Sequence, residues 1–247
     1  MALGFAQKTY KCIEEDWMGP ENIATSAADG VMWLYTSDAG TAPAITATAA
    51  GNILRTTQSA SAGNMQEVCF KDLAFTVQNG ELMLETRIRT SLIASLAINV
   101  GFNDDVLEGG DTLPVELSGT TFTTGAATFA GVVYDTDATN DDFHVMWVNG
   151  NTDSTEAIAD LRMSGMAPVI DQWFGVNVRL TDRGAGRGAR MTVEMVEEST
   201  GKHFKKSFDT NVARDTALTV YIGTESRGTG APVWDVDYIL VKQSRGA

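Results

Sequence analysis

The sequence predicts an all-β protein, built as an antiparallel β-sandwich with at most one or two short helices. Apolar and polar residues alternate with a period of two in strand-length segments along most of the 247 residues, as they do in strands that bury one face. Breaks rich in Gly, or in Asn, Asp and Ser, separate these segments and are typical of hairpin turns and loops. No long segment has the three- and four-residue apolar spacing of an amphipathic helix.

The predicted strands continue to the end of the chain. The clearest covers Phe174 to Thr181, where the apolar residues share one face and Gly175, Asn177 and Arg179 lie on the other. Similar patterns predict strands at 82–89, 98–103, 143–148, 191–195, 218–222 and 234–240. Segment 154–163 is the best candidate for a short helix, because Ile158 and Leu161 fall on one side of it.

We expect one domain preceded by a short arm. The length would allow one large β domain or two small ones, but no Pro-, Ser- or charge-rich linker divides the chain. The predicted β-sandwich domain covers residues 12–247. Residues 1–11 contain Leu3, Phe5 and Tyr10 but no strand alternation, which predicts an N-terminal arm. Residues 36–63, dominated by Ala, Thr, Ser and Gly, are expected to form a long loop with weak edge strands.

Charge and composition exclude two classes of partner. The formal net charge is −14 and no basic stripe compensates it, so nucleic acid is not an expected partner. The sequence has neither a run of eighteen apolar residues nor a secretory signal, so we expect folding in the cytoplasm without membrane insertion. In that compartment Cys12 and Cys69 are expected to be free, buried thiols, although two cysteines can also form one bridge.

The nearest approach to a hydrolase motif is the pair Glu81 and Glu85. Glycosidases on related β-sandwiches carry two carboxylates about 5 Å apart, with a further carboxylate between them that tunes their pKa. Met83 holds the central position here, and its thioether cannot hold a proton. We therefore assign no catalytic residue and expect no enzymatic activity.

Two loops have part of a ligand-binding pattern. One is a set of oxygen-rich residues that could hold Ca²⁺ but lacks the Gly and the distal Glu of an EF-hand loop, so a solvated turn is the favoured interpretation. Its members are Asp135, Asp137, Asn140, Asp141 and Asp142. The other, Gly184 to Gly188, lies between two predicted strands, so no helix amino terminus is available for phosphate and a hairpin tip is favoured. No metal and no cofactor are predicted.

The aromatic and imidazole side chains do not predict a site either. Trp147, Trp173 and Trp234 could each stack on a sugar ring, but they lie in or beside apolar runs, which favours packing in the core or between sheets. His144 and His203 have no Cys or Ser partner at a recognisable spacing, so they predict neither a metal site nor an activated nucleophile.

Several segments, taken in order, resemble one group of proteins. They are the opening YKCIEEDW at 10–17, the GVMWLYT at 30–36, the strand at 82–89 followed by 98–104, and the closing WDVDYILV at 234–241. In this order they resemble tailed-bacteriophage virion proteins that have a concanavalin A-like jelly-roll sandwich. The resemblance extends from Tyr10 to Lys242.

The resemblance implies an antiparallel jelly-roll β-sandwich, concanavalin A-like, with a structural role. The protein would be a head-associated component of the virion, assembled in the host cytoplasm. It would decorate or stabilise the capsid by binding the major capsid protein or other virion proteins, as a homo-oligomer whose arm extends across an adjacent subunit. Because the same fold can carry binding sites on its loops or sheet faces, a carbohydrate-binding or a tail- and receptor-associated module is the alternative.

Overall fold

The computed structural model describes residues 10–17, 23–28, 31–48, 51–109, 112–153 and 158–244. Within these residues the chain forms eighteen strands, the 3-10 helix Val77–Asn79 and the one-turn helix α1, Ile158–Leu161. The strands are β1 (Tyr10–Glu15), β2 (Ile23–Ala24), β3 (Trp33–Ser37), β4 (Gly40–Thr48), β5 (Gly51–Gln58), β6 (Met65–Phe70), β7 (Leu82–Thr90), β8 (Leu96–Asn103), β9 (Val115–Ser118), β10 (Thr121–Thr124), β11 (Phe129–Asp135), β12 (His144–Asn149), β13 (Thr152–Asp153), β14 (Phe174–Asp182), β15 (Ala189–Glu197), β16 (Lys202–Asp209), β17 (Thr219–Ser226) and β18 (Val233–Ser244).

Two eight-stranded sheets form the fold. The first, here called the open sheet, has the order β16-β15-β14-β7-β18-β5-β4, and β1 also pairs with β18. The second, here called the covered sheet, has the order β13-β12-β11-β8-β17-β6-β3-β2. Strands β9 and β10 form a separate hairpin. The β2–β3 pair is parallel, and the long central strands of both sheets pair antiparallel.

The last strand, β18, completes the open sheet. One edge of β18 follows β7, while its other edge pairs first with β5 and then with β1. The register against β7 shifts between Val236 and Ile239, at the point where the neighbour on the other edge changes from β5 to β1. A β-bulge bends and twists a strand locally, so this shift lets one strand serve two partners on the same edge.

The inner faces of the two sheets pack against each other to form the core. Buried and partly exposed residues alternate along β7, β14 and β15, as the period of two predicts. Aromatic rings join the sheets: the centroids of Phe143 and Phe174 are 5.5 Å apart, and those of Trp147 and Phe208 are 5.4 Å apart. Each large apolar side chain buried in this way stabilises the fold by about 1.5–3 kcal/mol.

The outer face of the covered sheet is buried beneath other parts of the chain. Every residue of β8, β11 and β17 is buried. Asn99 of β8 donates to the Val115 carbonyl at 2.9 Å and accepts from the Val115 N–H at 2.9 Å, which ties β9 to the sheet. The Leu117 N–H donates to Asp135 of β11 at 2.9 Å. The connection between β8 and β11 therefore acts as a lid that is hydrogen-bonded in place.

The structure confirms the all-β prediction and the expected edge strand within residues 36–63, where β4 is the edge of the open sheet, but not the long loop. Strands β4 and β5 occupy most of that segment, and Ile53 and Leu54 belong to the buried core. The Ala- and Thr-rich composition suggested a loop. Such residues can also form a strand when only a few of its positions face the core. Of the predicted helix at 154–163, the structure has the single turn of α1, while residues 154–157 lie outside the described residues.

The amino-terminal region is described only from Tyr10 onward. Tyr10 and Lys11, which were assigned to the arm, belong to β1 and pair with Ser244 and Gln243. Residues 1–9 lie outside the described residues, so the arm stays a prediction. Both cysteines are free thiols, and Cys69 is buried as expected, but the expected burial of Cys12 is wrong because Cys12 is exposed on β1. Among the described residues, no helix has the length and apolar character needed to cross a membrane.

Candidate functional site

The open sheet presents a polar outer face with a depression in it. Because β7, β14 and β15 bury alternate side chains, their other side chains face away from the core. A depression of about 270 Å³ lies among these outward positions. Its lining residues are Glu85, Gly175, Val176, Asn177, Glu194, Val196 and Tyr238.

Strand register places three polar side chains of this depression in one row. Asn177 of β14 pairs with Glu85 of β7 on one side and with Glu194 of β15 on the other. Since neighbouring strands are about 4.8 Å apart, the Cα atoms of the two glutamates are about 10 Å apart. The row therefore has a carboxylate at each end and an amide in the middle.

Glu85 is held by two hydrogen bonds. The Tyr238 hydroxyl donates to Glu85 Oε1 at 2.9 Å, and Asn177 Nδ2 donates to Glu85 Oε2 at 3.4 Å. Burial, reinforced by the neighbouring Glu85 carboxylate, raises the pKa of Tyr238 well above its ordinary value. The phenol is therefore protonated at neutral pH and donates to the carboxylate.

Glu194, at the other end of the row, is fixed by two residues of the edge strand β16. Lys205 Nζ and His203 Nε2 each lie 2.8 Å from a Glu194 carboxylate oxygen. The hydrogen bond from Lys205 lowers the pKa of Glu194 most, and the hydrogen bond from His203 lowers it further. Glu194 is consequently ionised over the whole neutral range and offers a hydrogen-bond acceptor in a fixed position.

Gly175 forms an open part of the depression. A Cβ atom added at this position would meet no other atom within 4 Å. The glycine therefore leaves space above the strand that any larger residue would occupy. Glycine inside a strand costs about 0.5–1 kcal/mol relative to Ala, so the space is retained at some cost in stability.

Trp173, next to β14, is packed by side chains of the same chain. The guanidinium groups of Arg87 and Arg89 lie 4.4 Å and 4.6 Å from its ring centroid. Arg87 also pairs with Glu198 and Asp237, at 2.6 Å and 2.8 Å. Such cation–π contacts occupy an aromatic surface, so Trp173 serves the open sheet as a packing residue rather than as a free platform.

A buried charge cluster lies between the β9–β10 hairpin and the covered sheet. Arg227 donates to the two oxygens of Asp135 at 3.2 Å and 2.7 Å, and to Glu225 at 2.7 Å. Burial raises the pKa of Glu225 to about 8; Arg227 opposes this shift and Glu116 adds to it. The cluster links β11, β17 and the hairpin, and its contacts fix the lid.

A second buried carboxylate also holds the lid. Glu67 of β6 accepts from the N–H groups of Glu108 and Gly109, at 3.1 Å and 3.0 Å. Burial raises the pKa of Glu67, and it raises that of Glu108 to about 7. Within the described ranges, no group of three or more His, Cys, Asp or Glu side chains is arranged to hold a metal ion.

The acidic pair singled out in the sequence is not the pair that the fold assembles. Glu81 precedes β7 and lies 3.7 Å from Arg179. Met83, the residue between the two glutamates on this side of the strand, contacts Arg179 through its sulfur at 3.8 Å. Glu85 instead faces Glu194 across β14. Sequence reasoning missed this row because it lies on three strands whose register cannot be read from spacing.

The cluster at 135–142 is divided between two ion pairs. Asp135 pairs with Arg227 and Asp142 with Arg162, and both aspartates are buried. The solvated-turn interpretation is therefore wrong for these two residues, because arginines distant in sequence replace water around them. Asp141 stays exposed. The spacing within the cluster gives no sign of either arginine.

The remaining candidates from the sequence largely behave as expected from packing. Trp147 and Trp234 are buried, and the segment 184–188 is the tip of the β14–β15 hairpin. Burial lowers the pKa of His144 to about 4, so this residue is a neutral core histidine. His203, in contrast, bonds Glu194 on the neighbouring strand. Antiparallel pairing brings these two residues together, although they are nine positions apart.

Comparisons with known proteins bear on the fold. Neither a protein-family model nor a curated protein matches the sequence. Among solved structures, a protein of unknown function from Shewanella oneidensis MR-1 has a TM-score of 0.64 at 14% identity, covering 96% of this chain and 87% of that chain. Peanut lectin has a TM-score of 0.57 at 12% identity, covering 96% and 99%. Lectin I from Ulex europaeus, solved with the methyl glycoside of α-L-fucose, has 0.54 at 8% identity, covering 96% and 98%.

These identities are too low to carry function from one protein to another, but the superpositions cover nearly the whole chain. The element order, the two stacked sheets and the lectin neighbours agree with one another. The chain therefore has the concanavalin A-like jelly-roll β-sandwich fold.

Proposed function

We propose that this protein is a non-enzymatic carbohydrate-binding module whose site is the depression on the open sheet. One observation carries the proposal. The depression brings together an aromatic side chain, three hydrogen-bonded polar side chains and a glycine that leaves space for a ligand. Tyr238 supplies the ring, while Glu85, Asn177 and Glu194 supply the polar groups. Small-ligand sites typically combine apolar or aromatic walls with a few placed polar groups.

The polar groups suit a neutral ligand that is rich in hydroxyls. The two carboxylates accept hydrogen bonds, and the Asn177 amide can both donate and accept. An anion would be repelled by the two glutamates, whereas sugar hydroxyls can donate to them. The depression, at about 270 Å³, is close to the lower limit of about 300 Å³ for small-ligand pockets.

The same row is poorly suited to glycoside hydrolysis. Hydrolysis requires a carboxylic acid that stays protonated until it reaches the leaving oxygen, which needs a raised pKa. Lys205 and His203 lower the pKa of Glu194 instead, and both oxygens of Glu85 already accept hydrogen bonds. Binding without cleavage is therefore the activity that this arrangement supports.

A glycan array tests the proposal directly. The purified protein should bind one class of neutral oligosaccharide, and titration calorimetry should give a saturable affinity for it. Asn177→Ala should weaken that affinity by about tenfold, since one good hydrogen bond to a ligand contributes about 1.4 kcal/mol. Thr181→Ala, on the same face of β14 but outside the depression, is the matched control and should bind normally. An array without any saturable ligand would reject the proposal.

We propose a role in the virion as the second candidate function. The resemblance of the segments between Tyr10 and Lys242 to tailed-phage virion proteins favours it, and so does a scaffold in which β8, β11 and β17 of the covered sheet are buried throughout. The partner would be the major capsid protein or another virion protein. Cosedimentation with phage heads stripped of accessory proteins tests this role. Saturation at a fixed number of copies per capsid supports it, and absence of binding removes it.

A further inference from the structure

A short loop is attached to the covered sheet through two carboxyl groups. Residues 104–109, here called the acidic loop, directly follow β8. Glu67 of β6 is fully buried, and its oxygens accept from the N–H groups of Glu108 and Gly109, at 3.1 Å and 3.0 Å. The side chain of Glu108 is held as well, because Asn103 Nδ2 donates to Glu108 Oε1 at 2.6 Å. Both the backbone and the side chain of Glu108 therefore depend on this contact with the sheet.

The charges around these two carboxyl groups have one sign. The groups whose charges act most strongly on Glu67 and Glu108 include no Lys, Arg or His. Besides Glu67 and Glu108 themselves, they are the carboxylates of Asp38, Asp104 and Asp105. If both carboxyls were ionised in the closed loop, two negative charges would be buried side by side without a compensating cation.

Two neutral side chains complete the surroundings of Glu67. Cys69 follows it on the same face of β6, and Tyr221 of β17 pairs with Cys69. Burial raises the pKa of the Cys69 thiol and of the Tyr221 hydroxyl well above their ordinary values, so both groups stay protonated between about pH 5 and about pH 8. Changes in charge over this range therefore come from the two glutamates.

Glu108 is the glutamate that changes its charge near neutral pH. Burial raises the pKa of both carboxyls, but the two N–H groups oppose this shift at Glu67, whereas the pKa of Glu108 reaches about 7. In an opened loop Glu108 would have the ordinary pKa of about 4.3. The closed loop thus binds the proton more tightly, so closure is favoured at low pH and is lost as the pH rises through about 7.

We infer that the acidic loop is a pH-sensitive latch, closed on β6 while Glu108 is protonated and opening locally once Glu67 and Glu108 are both ionised. Val106 and Leu107 pack against the core and stabilise the closed form, while the repulsion between the two carboxylates opposes it. Opening exposes the buried surface of β6 around Glu67. The inference does not depend on carbohydrate binding, because the latch lies on the covered sheet and the depression on the open sheet.

Hydrogen exchange of the full chain, read at the amides of Glu108 and Gly109 by NMR and corrected for the intrinsic pH dependence of exchange, tests the inference. One proton bound with a pKa of about 7 in the closed loop and about 4.3 in the open loop predicts about thirtyfold less protection at about pH 8 than at about pH 5.5. Glu108→Gln keeps an acceptor for Asn103 but cannot ionise, so its protection should be the same at both pH values. Glu81→Gln is the matched control, since the Glu81 side chain is 46% exposed, and it should show the same fall as the wild type.

Urea separates opening of the latch from unfolding of the whole domain. Local opening exposes little surface, so about 1 M urea should leave the protection of the loop amides unchanged and lower that of the β14 amides. Three results would overturn the inference. They are equal protection of the wild-type loop at both pH values, a fall in Glu108→Gln as large as that in the wild type, and loop protection that decreases with urea as much as that of β14.

Discussion

Replacing Arg227 by Met should destabilise the protein strongly, and more so at higher pH. Arg227 is the cation among three carboxylates, and its side chain is only 12% exposed. Met fills similar space without a charge. The substitution leaves Asp135, Glu225 and Glu116 close together in a buried site, so their mutual repulsion is no longer compensated.

The expected loss follows from what remains around these carboxylates. Removing one partner of a buried ion pair typically costs about 3–5 kcal/mol. Asp135 keeps hydrogen bonds from the N–H groups of Leu117 and Asp137, at 2.9 Å and 3.0 Å, which favours the lower end of that range. A loss of about 3 kcal/mol corresponds to a fall of about 6–12 °C in Tm for a domain of this size.

Urea unfolding, followed by tryptophan fluorescence at about pH 5.5 and about pH 8, measures both effects. At the lower pH Glu225, whose pKa burial raises to about 8, binds a proton in the folded state, so the cost of losing Arg227 should shrink. Arg179→Met is the control: Arg179 lies 3.7 Å from Glu81 and both side chains are more than 40% exposed, so its loss should cost at most about 1 kcal/mol. A loss below about 1 kcal/mol for Arg227→Met, or an equal loss at both pH values, would refute the reasoning.

Three further predictions concern the covered sheet and the thiols. Burial raises the folded-state pKa of Glu108 to about 7 and that of Glu225 to about 8. In the unfolded chain the pKa of a glutamate is about 4.3. The two protonated carboxyls therefore stabilise the fold fully below about pH 4.3, and this stabilisation is lost as the pH rises through their folded-state pKa values. Glu225→Gln should flatten the fall in urea-unfolding free energy above about pH 6; an unchanged slope would contradict it. Gly101→Ala places a Cβ 2.3 Å from the Ala130 carbonyl oxygen and should lower the unfolding free energy by about 1–3 kcal/mol, an expectation that wild-type stability would rule out. In thiol titration, exposed Cys12 should react in the native protein, whereas Cys69, whose pKa burial raises, should react only in denaturant; native reaction of both would disprove the burial of Cys69.

The fold was largely predictable because its longest strands bury one face. In 174–181 the alternation alone separates core residues from surface residues. In 234–240 it fails after Val236, because the register shift puts Ile239 in the core and leaves Tyr238 and Leu240 partly exposed. The segment 36–63 was predictable only as a loop with weak edge strands, because β4 has a single buried position, Pro43, and a single large apolar residue, Ile45. Its neighbour β5 supplies the fully buried aliphatic side chains Ile53 and Leu54.

The candidate site was less predictable, because it depends on register and on long-range pairing. Glu85, Asn177 and Glu194 are each recognisable as outward positions, but no local pattern places them in one row. No local pattern predicts the pair of Arg227 and Asp135 either, because these residues are 92 positions apart in the sequence. Such contacts form only when the sheets close, so they leave no periodic signal in the sequence.

The central claim is that a glycan occupies the space above Gly175, and one variant tests it most directly. Gly175→Val should fold at least as stably as the wild type, because its Cβ meets no atom within 4 Å and β-branched residues favour strands. The branched side chain would occupy the depression. We predict that titration with the glycan identified on the array gives no measurable binding to Gly175→Val, while Thr181→Val binds like the wild type. Wild-type affinity in a folded Gly175→Val protein would show that the ligand binds elsewhere and would contradict the account.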